Sequence, residues 1–229
     1  MFSLRFTSRI KPNVSLAFGL GGLFLRTPVR QSSSGSFILR QPSNLAPREV
    51  PTPLVFLSAR SWDEKSAVGM TAFASIFAEK GYTCLEIDLS KPKDGVSSSE
   101  SMMLTWQDEL RHHIRLTSIP FAPVIVARAA GALIAQTYIS SNPATGLVLI
   151  SPPSSNSALP RSLLPNALEE FNYEAKFPIA LVGTMEEVGM LRSSHRLGSD
   201  PGVDLIEVDE IDGQQGFSKI EQWLDEIGI

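Results

Sequence analysis

The sequence predicts an α/β fold: a three-layer, open and mostly parallel sheet with helices on both faces. Two observations carry this. Six short apolar runs alternate with helical patterns at the spacing of crossover units. The first run, LVFLSA, is continuous in apolar residues rather than alternating, as a strand covered on both faces must be. With 229 residues and 43% hydrophobic content, the chain can bury one sizeable core.

The elements follow in order. Residues 54–59 (LVFLSA) form the first strand. Residues 66–81 space Met70, Phe73, Ala74 and Phe77 three and four apart, which predicts a helix that Gly81 terminates. A second strand spans 82–90. After a polar loop, a helix follows with an apolar stripe through Met103, Leu104, Leu110 and Ile114. The third strand, 123–127, runs through a tight turn into a helix over 130–140. The fourth, 146–153, is stopped by two prolines, and residues 157–176 read as irregular or weakly helical. Strands at 177–184 and 203–209 complete the set. The last helix is amphipathic through Phe217, Ile220, Trp223, Leu224 and Ile227.

Charge separates the first 48 residues from the rest. No acid precedes Glu49, whereas Arg5, Arg9, Lys11, Arg26, Arg30, Arg40 and Arg48 do. Without those seven, the other 13 of 20 basic residues stand against all 24 acids, a net of −11. A body that acidic argues against nucleic acid or an anionic membrane as partner. The Arg-, Ser- and Leu-rich start predicts a mitochondrial presequence and disordered lead-in over 1–48, with processing near residues 30–40. A secretory signal is the alternative. The domain is expected over 49–229, in the mitochondrial matrix. The apolar run VSLAFGLGGLFL is too short to span a bilayer, so no transmembrane segment is expected.

Cofactor chemistry finds little purchase. No glycine-rich dinucleotide or phosphate loop follows a strand, and no cofactor is expected. Three histidines and Cys84 are scattered without ligand spacing, so no metal site is expected. One cysteine also excludes an internal disulfide.

From Pro53 onward the order of elements resembles the α/β-hydrolase superfamily. Four landmarks carry the likeness: LVFLSARSWD after the first strand, IDLS after the second, VIVARAAGALIAQ at the third, and GLVLISPP at the fourth. FPIALVGTMEE resembles the strand end that bears the family's acid. The resemblance implies a nucleophile at a strained strand-to-helix elbow, flanked by small residues. Here Ala127 and Gly131 are the small flanks and Ala129 takes the nucleophile's place, with positive φ expected. Alanine cannot attack a carbonyl, and an aspartate nucleophile is equally missing.

The other roles are degenerate as well. Glu186 or Glu187 falls near the acid's position, with a solvated surface role as the alternative. No histidine occurs in 207–217, where the base should lie; His195 precedes that strand in a polar segment, and His112 and His113 sit on an earlier helix. Ser58 and Ala59 replace the His-Gly pair that usually precedes the oxyanion-hole amides. The expected function is therefore that of a pseudoenzyme, a non-catalytic protein acting through protein contacts as an accessory or assembly subunit. Only about 25 residues separate LISPP from FPIAL, which leaves little room for a lid.

Two alternatives stay open. One is a serine-type ester or thioester hydrolase with a displaced catalytic set, for which Ser58, Ser61 and Ser151 stand at strand ends. The other is a small-anion binding protein with Arg60, Trp62 and Arg128 at the ligand. Against it, each arginine can pair with a nearby acid such as Asp63, Asp88 or Glu186.

Overall fold

The computed structural model describes residues 35–92 and 98–229. Its strands are β1 (Ser36–Arg40), β2 (Val50–Ser58), β3 (Tyr82–Asp88), β4 (Val124–Arg128), β5 (Gly146–Ile150), β6 (Ile179–Gly183) and β7 (Val203–Glu207). The helices are α1 (Met70–Glu79), α2 (Ser99–Leu116), α3 (Gly131–Ile139), α4 (Met185–Ser194) and α5 (Gln214–Glu226). One sheet runs β1-β3-β2-β4-β5-β6-β7, parallel except for β1, which is antiparallel to β3. The α/β architecture predicted from the apolar runs is the one observed.

Strand order fixes where a site can form. From β2 the chain steps to β3 on one side, and β4 through β7 are all added on the other. That reversal falls between β2 and β4, and in such sheets ligands gather in a crevice at the carboxyl ends of the strands at that point.

Each face of the sheet has its own core. Trp106 of α2 is fully buried against α3 and the sheet, and its indole N–H donates to the Ser90 carbonyl at 2.8 Å. On the other face Phe77 of α1 packs on Phe217 of α5, ring centres 4.7 Å apart, and edge-on to Tyr82 at 5.4 Å. Truncating Phe77 to alanine would cost about 3–5 kcal/mol. Gly81 ends α1 at φ 104, where a β-carbon would lie 1.9 Å from the Arg48 carbonyl oxygen. The expected stop signal is thus also a steric requirement.

Four features depart from the sequence reading. The strand β1 lies upstream of residue 49, where only a lead-in was expected; the rest of the presequence expectation falls on residues 1–34, outside the described ones. Phe37 of β1 stacks on His113 at 5.6 Å and Arg40 meets Glu86 at 2.8 Å. Second, β2 begins at Val50 despite Pro51 and Pro53, because its register breaks between Val50 and Leu54, where missing N–H donors are tolerated.

Third, Leu104 is 48% exposed, and the buried stripe of α2 is Met102, Met103, Trp106 and Leu110. Fourth, α4 was not expected at all. Residues 157–176 are irregular, as read, and the irregular strap extends over 151–178 because β5 and β6 are shorter than expected, with one short 3-10 turn at Asn156–Ala158. Among the described residues no helix is long and apolar enough to cross a membrane.

Candidate functional site

The crevice is built by three loops. One follows β2 (59–68), one is the turn from β4 into α3 (128–131), and one follows β7 (208–213). Ala129 sits at the turn with φ 49, the left-handed conformation expected of an elbow, and its N–H donates to the Ile150 carbonyl at 3.0 Å. Only glycine reaches that region without strain, so the sheet and the buried helix α3 hold the turn in place. The side chain it presents is a methyl group.

In an acyl-transfer site of this shape, the amide after the nucleophile and one from the first loop would bind the developing oxyanion. Here those donors are already engaged. The Ala130 N–H donates to Asp63 Oδ2 at 3.0 Å. The Ala59 N–H donates to Ser66 Oγ at 2.9 Å, and the Arg60 N–H to Asp88 Oδ1 at 2.8 Å. The Asp63 carboxylate also accepts from the Lys65 N–H at 3.2 Å, capping the 3-10 turn Glu64–Ala67. An acid of the chain itself therefore stands at the amino terminus of α3, where the helix dipole favours negative charge.

The residues expected at an anion site fare differently. Arg128 is committed: its guanidinium donates to the Val68 carbonyl at 2.9 Å and pairs with Asp212. Asp212 lies in the very segment where a catalytic histidine would be sought. Trp62 is not open to a ligand either. It is 7% exposed, packs on Trp106 with ring centres 4.8 Å apart, and donates its indole N–H to the Leu163 carbonyl at 2.8 Å. Arg60 alone of the three is exposed with an unengaged guanidinium among the described residues.

The remaining positions are also accounted for. Ser58 is buried and donates to Asp88 Oδ1 at 2.8 Å; Ala59 is fully buried. Glu187 closes a capping box with Thr184 at the start of α4 and accepts from the Ser151 hydroxyl at 3.1 Å. Glu186 is exposed on α4. Ser151, directly after β5, has φ 43 and is a second strained residue at this end of the sheet.

None of the three histidines stands at this crevice. His195 ends α4, which runs back toward the amino ends of the strands; it is 8% exposed, not in an open polar loop, and its Nδ1 accepts from the Leu197 N–H at 3.2 Å. Burial, and then the neighbouring Arg196, push its pKa down to about 4. His113 pairs with Glu109 near the far end of α2, and His112 beside it is exposed. Cys84 is buried within β3, and burial raises its thiol to about 12, so no thiolate forms there. Among the described residues no group of three or more His, Cys, Asp and Glu gathers to hold a metal.

The sequence matches no protein-family model and no curated protein. Solved structures match in fold. An α/β hydrolase from a metagenome of the sediments of the Mar Chica lagoon, Morocco, aligns with a TM-score of 0.58 over 87% of this chain and 99% of its own, at 13% identity. The chain has the α/β-hydrolase fold. MenH from S. aureus aligns with a TM-score of 0.54 at 12% identity, over 84% and 99% of the two chains. A monoglyceride lipase from Saccharomyces cerevisiae gives 0.55 at 10% identity, over 86% and 92%. At such identities the likeness concerns the fold, and function has to be argued from the crevice itself.

Sequence reasoning found the elbow, the empty base position and the strap. It named Asp63 only as a partner for an arginine, whereas Asp63 takes the Ala130 N–H, and it did not name Asp212, which holds Arg128. Asp63 and Asp212 reach partners 67 and 84 positions away, and no local signal marks either contact.

Proposed function

We propose that this chain is a non-catalytic α/β-hydrolase-like protein that works through protein contacts, as an accessory or assembly subunit in the mitochondrial matrix. One observation carries the reading: Ala129 occupies the elbow while the adjacent Ala130 N–H is held by Asp63. A site with no nucleophile and an occupied oxyanion hole lacks both parts that most lower the barrier to acyl transfer. The Arg128–Asp212 pair supports it, since a structural ion pair stands where the base would be. Isolation of the endogenous protein from mitochondria tests the reading. A stoichiometric companion that leaves on substitution of this chain's surface is the expected result; a lone monomer turning over activated esters would overturn it.

Residues 1–48 support import into the organelle, by composition alone. Processing is proposed near residues 30–40, and the strand β1 starting at Ser36 supports the upstream part of that range, within 30–35. Residues 1–48 fused to a fluorescent reporter should deliver it to mitochondria, and amino-terminal sequencing of the mature protein should begin before Ser36. Secretion of the reporter would refute the assignment.

A serine hydrolase with a displaced set is the second reading. It is favoured by Ser151, strained at the carboxyl end of β5 and hydrogen-bonded to a carboxylate, Glu187. The Thr184 N–H shares that carboxylate oxygen at 2.8 Å, which makes Glu187 first of all a helix cap. Ester turnover that vanishes in Ser151→Ala would establish this reading; turnover unchanged by the substitution would remove it.

A further inference from the structure

The outward face of α4 leaves two large apolar side chains exposed. Val188 and Leu191 point into the core, whereas Met185 is 71% exposed and Met190 52% exposed. Between the methionines lies Gly189, inside the helix, and a β-carbon added there would meet nothing within 4 Å. This chain therefore gives no packing reason for a glycine that weakens its own helix. A glycine on an exposed helical face does permit a second helix to approach closely.

Charge placement completes the pattern. At about 100° per residue, Glu186, Gly189 and Arg192 fall within about 60° of one line along the helix. Glu186 and Arg192 are both exposed, and neither has a charged partner among the described residues. They lie three residues on either side of Gly189. When two such helices cross antiparallel about a two-fold axis through Gly189, Glu186 of each faces Arg192 of the other. The same face is thus complementary to itself, which is what an isologous contact requires. Methionine is enriched at such contacts because its flexible chain fills irregular gaps.

We propose that α4 is a self-association face, closing a two-fold dimer through Gly189 with paired Glu186–Arg192 contacts. The dimer does not depend on the fate of the crevice around Ala129. Helix α4 has ten residues and is about 15 Å long, so the contact is small and the association weak, with a dissociation constant of about 10–300 µM.

Sedimentation equilibrium of the full chain across that range is the test. The wild type should dimerise. Glu186→Arg should weaken the dimer at least about tenfold by setting like charges opposite each other, and Glu186→Arg with Arg192→Glu should restore it. Gly189→Leu should abolish it while raising the melting temperature of dilute protein by about 2–4 °C, because leucine favours the helix. The last variant separates loss of the contact from loss of folding. A wild type still monomeric at about 300 µM, a dimer that survives Gly189→Leu, or a double reversal that fails to restore association would each overturn the proposal.

Discussion

Ala129 pays for its place in free energy, since an L-residue in the left-handed region costs about 1–2 kcal/mol. Ala129→Gly should therefore stabilise the protein by about 0.5–1 kcal/mol, the relief of strain exceeding the added entropy of the unfolded chain. Denaturant titration checks the sign, and a loss of stability would mean that the turn is relaxed. Ala129→Ser should leave ester hydrolysis at the background rate, because the oxyanion donors stay occupied and no imidazole stands near. Asp63→Ala should cost about 1–2 kcal/mol, as it strips the Ala130 N–H and the Lys65 N–H of their acceptor. His195 gives a pH signature. Its folded pKa of about 4 lies below the ordinary value of 6.5, so its protonation favours the unfolded chain. The stability it carries is complete above pH 6.5 and falls by about 3 kcal/mol as pH drops toward 4. Urea midpoints across that window should fall more steeply in the wild type than in His195→Asn.

At the scale of elements, the strap over 151–178 is tied to the loop after β2 and to α2. The Trp62 indole donates to the Leu163 carbonyl, and Ser99 of α2 donates to the Asn166 carbonyl at 2.6 Å. Trp62→Phe keeps most of the packing and loses the hydrogen bond, so it should cost about 1 kcal/mol and increase proteolytic nicking within the strap. An unchanged cleavage pattern would show that other contacts suffice to hold it. Legibility differed among elements for physical reasons. The central strands β2, β4, β5 and β6 were readable because burial on both faces demands continuous apolar runs, and β3 and β7 because their apolar residues still dominate short segments between helical patterns. The edge strand β1 was not, because Ile38 and Leu39 are partly exposed and SFILR is flanked by polar residues. Helix α4 lacks apolar contrast, with both methionines outward. Its Thr184-x-x-Glu187 capping box was nevertheless present in the sequence as a start signal.

Across the whole molecule, the fold was written in local patterns and the state of the crevice was not. Ala129 and the missing histidine can be read one position at a time. The acids that complete the picture act over long sequence separations, and only the strand order β3-β2-β4 brings Asp63 to Ala130. The same topology carries the Arg128–Asp212 pair across from β4 to the loop after β7. What results is a body with the α/β-hydrolase fold in which the polar groups around the elbow are satisfied by its own side chains. Incubation of the full chain with a fluorophosphonate, followed by intact mass measurement, probes that state most directly. The expected result is an unmodified mass after prolonged exposure; a single stoichiometric adduct on one serine at the carboxyl ends of the strands, lost in Ser151→Ala or Ser58→Ala, would contradict it.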